Sequence, residues 1–85
     1  MPLVSEIAAQ VTARLRGDKP VIIDLDPKRD VWVVAAPAGL KSYVIVARYP
    51  FIAFEREERR RQARVRAHRT AVSYKTWVHD RTTDG

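Results

Sequence analysis

No cysteine occurs among the 85 residues, and that absence removes disulfide scaffolds, thiol catalysis, iron–sulfur clusters and cysteine-ligated zinc. Histidine is nearly as scarce. His68 and His79 are the only two, and a zinc site built on them would need two more ligands that the chain does not arrange around them. With three glycines there is no Gly-rich phosphate loop, and neither a Gly-x-Ser-x-Gly nor a His-Glu-x-x-His motif is present. No metal or other cofactor is therefore expected. Long apolar runs are missing too: the longest, from Val31 to Leu40, is interrupted by Pro37 and Gly39 and falls well short of the ~20 residues that span a bilayer. The opening Met1-Pro2-Leu3-Val4-Ser5-Glu6 lacks the charged start and apolar core of a secretory leader. These features lead us to expect a protein made and kept in a cytoplasm, with no membrane partner, free or associated with a nucleoid or phage.

What is present starts with charge. The net charge is +6 and the isoelectric point near 10.3, which favours an acidic partner such as nucleic acid or an acidic protein surface. The excess is local: residues 55–69 hold seven arginines against three glutamates, four of the six net charges. The apolar fraction of 46% is that of a globular chain. A chain this short buries only roughly 60–65% of its unfolded surface, so a partner or a second copy, as in a homodimer, would add welcome stability.

The pattern predicts an α+β domain over residues 1–79 with a flexible tail over 80–85. Leu3, Ile7, Val11 and Leu15 recur every four residues and predict a short amphipathic helix, with Gly17 as its stop. Val21, Ile23 and Leu25 share one face of a first strand, and Asp24 and Asp26 point the other way. Asp26-Pro27-Lys28-Arg29 has the residues of a type I turn. A second strand over 31–35, a turn at Ala36-Pro37-Ala38-Gly39 and a third strand over 42–49 complete an antiparallel meander. A helix is predicted from about Phe51 to about His68, with Glu55–Arg59 and Glu57–Arg61 pairs at the favourable spacing and His68 at its C-terminal end. Its large apolar residues, Phe51, Phe54 and Val65 with Val72 beyond, form a stripe broken by Glu58 and Arg61, so only its ends are expected to pack. Thr70 to His79 alternates with period two and predicts a fourth strand, either in the same sheet or pairing with another chain. The order helix, three strands, helix resembles that of double-stranded-RNA-binding domains. Those domains carry lysines where this second helix begins with Glu55, Glu57 and Glu58, so the likeness ends at the order of elements.

Two functional readings compete. In the first, the arginine helix binds nucleic-acid phosphates: Arg56, Arg60 and Arg64 make the most coherent row, and Arg59 and Arg66 reinforce it. In the second, the helix or the 70–79 strand is a protein–protein or assembly contact, of phage or mobile-element type, using Arg, Trp and Tyr as anchors. Solvated Glu–Arg pairing would also explain such a charge run. The predicted helix carries no aromatics between its arginines on which bases could stack. The chain is read as non-enzymatic, with one enzymatic alternative, a metal-independent ribonuclease using Tyr74, Lys75, His79 and Arg81. Trp32 and Trp77 are read as packing residues, and Tyr43, Tyr49 and Phe51 likewise unless they face solvent together with Arg48. Asp24, Asp26 and Asp30 could surround a divalent cation, but Lys28 and Arg29 stand among them, which favours a solvated loop.

Overall fold

The computed structural model describes residues 19–82; the helix predicted near the N-terminus lies outside them. Strands β1 (Val21–Asp26), β2 (Val31–Pro37) and β3 (Tyr43–Pro50) form the expected antiparallel meander. A single 3-10 turn, Ala53–Glu55, leads into the long helix α1 (Arg56–Tyr74), and a three-residue strand β4 (Val78–Asp80) follows it. The sheet order is β3-β2-β1-β4, with β4 parallel to β1. The result is an α+β fold with a mixed four-stranded sheet.

Local chemistry explains the meander. Asp26 Oδ1 accepts the Lys28 amide at 3.1 Å, a side-chain mimic of a turn hydrogen bond. Asp30 then takes a positive φ of 50°, which aspartate tolerates better than most residues. Between β2 and β3 the register slips, Val34 facing Ala47 and Ala35 facing Ile45. Val46 is thus the extra residue of a bulge, and both Val46 and Ala47 lie against the core. Tyr43, Val44 and Ile45 at the start of this edge strand remain exposed.

The core holds Val21, Ile23, Trp32 and Val34 from the sheet against Ala63, Ala67 and Ala71 from α1. This corrects the predicted stripe. Phe51 does stack on Trp32, their ring centroids 5.8 Å apart, but Phe54 is 84% exposed, Val72 78%, and Val65 is also exposed. The middle of the helix packs, and it does so through alanines at spacing four. Thr70 completes this face by donating its hydroxyl to the Arg66 carbonyl at 2.9 Å. Small side chains let the helix backbone approach the sheet closely, at the cost of leaving its larger apolar residues outside.

The predicted 70–79 strand is also corrected: residues 70–74 are helical and only Val78–Asp80 is strand, paired with β1 of the same chain. The period-two pattern of Val72 and Tyr74 yields to the Ala63-Ala67-Ala71 spacing, whose burial continues the helix. His68 therefore sits more than a turn before the helix end, and no basic residue occupies the last turn. Termination falls to Lys75, at φ 55°. Its amide donates to the Val72 carbonyl at 3.2 Å and that of Thr76 to Ala71 at 2.9 Å, the paired bonds of a Schellman motif. The tail predicted from residue 80 does not begin there. Asp80 belongs to β4, and the Arg81 amide donates to the Ile23 carbonyl at 3.0 Å.

Two outcomes follow. Ala67→Leu should cost about 2 kcal/mol by prising helix from sheet, whereas Val65→Leu should stay within about 0.5 kcal/mol; urea denaturation of both variants checks this, and equal effects would contradict the alanine seam. Lys75→Gly should raise stability by about 1 kcal/mol by relieving the left-handed backbone, and a fall in the urea midpoint would show that the lysine side chain contributes more than its strain costs.

Candidate nucleic-acid interface

A helix lying on a sheet has two flanks, and the seven arginines divide between them and the outward face. Arg56, Arg60 and Arg64 form a row, as their spacing requires, but the row turns toward the core and β4. Arg56 and Arg60 place their guanidiniums 5.8 and 5.7 Å from the centre of the Trp32 ring, and the Trp32 indole donates to the Arg56 carbonyl at 2.8 Å. The Arg60 side chain is only 17% exposed and lies 3.6 Å from Asp80 Oδ2; Arg64 reaches the same oxygen through Nε at 3.5 Å. Arg60 Nε is enclosed without a hydrogen-bond partner among the described residues. Its charge is balanced by Asp80, by the Trp32 face and, at 3.8 Å, by Glu57.

Asp80 is well held in return. Burial alone would push its carboxyl up, but the Thr82 hydroxyl and amide, with Arg60 and Arg64, outweigh that and keep it below the ordinary aspartate range. The Thr82 amide donates to Oδ1 at 2.9 Å, and the Thr82 hydroxyl donates to the same oxygen. This cluster joins β4, α1 and β2.

Arg59 and Arg61 are engaged along the helix itself. Arg59 meets Glu55 at 3.4 Å, as its spacing predicts, and donates to Gln62 at 3.3 Å. The predicted Glu57–Arg61 pair is replaced: Arg61 donates to Glu58 through Nε at 3.1 Å and Nη2 at 2.6 Å, and Glu57 turns to Arg60. Hydrogen bonding from Arg61 holds the Glu58 carboxyl below its usual value.

Arg66 and Arg69 are different. Both are exposed, and neither has an ion-pair partner among the described residues. With Arg61, Gln62 and Val65 they line an open recess of about 250 Å3 on the β3 side of α1, whose opposite wall is Tyr49. Arg69 carried no special role in the sequence pattern; its distinction is that it has no acidic ion-pair partner among the described residues. A second recess, about 300 Å3, is lined by Leu25, Pro27, Asp30, Phe51, Ala53 and Arg56, and there one acid offsets the one cation.

The remaining candidates are dispersed. Tyr49 and Phe51 pack on the core while Arg48, opposite Val33, belongs to the other face of the sheet, so they form no common stacking surface. Tyr43 lies under the Lys19 ammonium at 5.5 Å. Of the ribonuclease candidates, Tyr74 and Lys75 end the helix, while His79 pairs in register with Ile22 between Val78 and Asp80, which face the helix. Strand alternation therefore sends His79 to the opposite face, and Arg81 is occupied with Asp24 at 3.8 Å. Asp24 also accepts the Leu25 amide, and Asp26 pairs with Arg29 at 3.5 Å; no cluster of acids and histidines able to hold a metal occurs among the described residues. No helix among them is long and apolar enough to cross a membrane.

Comparison with known protein families, curated proteins and solved structures finds no match.

Because the folded Asp80 carboxyl is depressed, the stability it contributes is complete above the unfolded aspartate value of about 3.9 and is lost as pH falls through the lower folded value. Asp80→Asn should therefore cost about 1–2 kcal/mol at neutral pH by leaving Arg60 half-buried and under-compensated, and should shrink the stability loss between about pH 5 and pH 2. Urea unfolding of both proteins across that range measures it; parallel pH profiles would show that Asp80 is not the group responsible.

Proposed function

We propose that the protein is a non-enzymatic nucleic-acid-binding module whose arginine helix contacts backbone phosphates. The observation that carries this reading is that the local charge excess is not consumed internally. Arg66 and Arg69 have no acidic partner among the described residues. Arg64 pairs with Asp80 through Nε but its side chain is still 45% exposed, so a phosphate can approach its guanidinium from solvent. Arg59, part-buried and paired with Glu55, adds positive charge beside them. Arg56 and Arg60 act indirectly, fixing the helix on Trp32 and β4. Such contacts produce affinity without base readout and release counterions.

Fluorescence anisotropy with labelled random-sequence nucleic acid over a salt series tests this. The Arg64→Gln, Arg66→Gln, Arg69→Gln triple variant should bind at least about tenfold more weakly at low salt, with a log K–log salt slope reduced by about 2–3. Unchanged affinity and slope would sink the proposal.

A second reading, a protein-interaction module, is favoured by one observation: Phe54, Val65 and Val72 are exposed on α1 and its approach, and Tyr43, Val44 and Ile45 on the edge strand. Weak, salt-insensitive nucleic-acid binding together with a concentration-dependent dimer in sedimentation would favour it.

A further inference from the structure

The sequence of α1 places no aromatic among its arginines, yet the fold supplies one. Tyr49, from the edge strand β3, forms the wall of the recess that faces Arg66 and Arg69. Arg59, Gln62, Arg66 and Arg69 follow one another at spacings of three and four along this flank of the helix, so they line one track running beside β3. The outward face of α1 is less suited to a duplex groove, because it presents Glu58, already paired with Arg61, and the apolar Val72. A rigid duplex would meet that face. A single strand can leave it and follow the flank.

We propose, resting on the nucleic-acid reading above, that the preferred ligand is a single-stranded segment lying in the channel between α1 and β3. Arg66 and Arg69 hold consecutive phosphates, and a base packs against the Tyr49 ring with Val65 beneath. A basic track beside an aromatic platform is the combination that binds single strands without sequence preference. The recess measures about 250 Å3 and opens to solvent.

The test uses the full chain with a labelled oligothymidylate, its single-stranded RNA counterpart and duplexes of equal length, at matched salt. Single strands should bind at least about tenfold tighter than duplexes. Arg66→Gln and Arg69→Gln should each weaken single-strand binding several-fold and lower the salt slope by about 0.7. Arg48→Gln, an equal charge change on the opposite face, should alter it less than twofold. Tyr49→Phe should bind normally, and Tyr49→Leu should lose about 5–10-fold for single strands only, with circular dichroism confirming that it folds. The Tyr49 ring protons of the unaltered protein should shift on titration with oligothymidylate, a readout that needs no variant. Duplex binding as tight as single-strand binding, a motionless Tyr49 resonance, or an Arg48→Gln loss equal to that of Arg66→Gln would overturn the channel while leaving phosphate binding intact. No binding of any nucleic acid would overturn the parent reading as well.

Discussion

The close seat of α1 on the sheet is the constraint from which the rest of the structure follows. Ala63, Ala67 and Ala71 present almost no side chain to Val21, Ile23 and Val34, so the backbone of an otherwise polar helix lies near the strands. Long side chains cannot enter so narrow a seam. They are deflected to the two flanks and the outer face, and those destinations assign the arginines different work. Larger residues at the seam would lift the helix and dissolve the distinction.

On the β4 flank arginine is a structural residue. Trp32 is flanked by Phe51 and by the guanidiniums of Arg56 and Arg60, and Asp80 anchors Arg60 and Arg64 from a strand of only three residues. A strand that short has few ladder bonds of its own, so the ion pairs and the Thr82 hydrogen bonds add materially to its attachment. On the β3 flank Arg66 and Arg69 have no ion-pair partner among the described residues and line the open recess beside Tyr49; in the proposed function that flank faces the partner. The two flanks divide one charge run, which in the proposed function serves stability and recognition together. They also explain why total charge is a poor guide to the number of arginines available to a ligand.

The meander was legible from the residues because its signals are local. The β-branched run Val21-Ile22-Ile23 and the Asp26-Pro27 turn depend on neighbours in the chain, and both appear in the fold, as strand β1 and the turn that follows it. The helix was legible in existence but not in its buried face or its end. Alanine carries little hydrophobic signal, so a stripe drawn through Phe54, Val65 and Val72 looked stronger than the one that packs. The same bias made residues 70–74 read as strand, since Val72 and Tyr74 suit a strand when nothing shows Ala71 to be buried.

By itself the sequence determined the α+β class, the three-stranded meander and the concentration of positive charge on one helix, because propensity, alternation and charge are properties of segments. Only the tertiary structure decided which arginines that charge is spent on. Asp80 lies sixteen or more residues beyond Arg60 and Arg64, and Tyr49 seventeen residues before Arg66; no local rule relates them. Their meeting depends on β4 pairing beside β1 and on α1 settling close to the sheet, and both are consequences of burying the small residues that the pattern of large ones concealed.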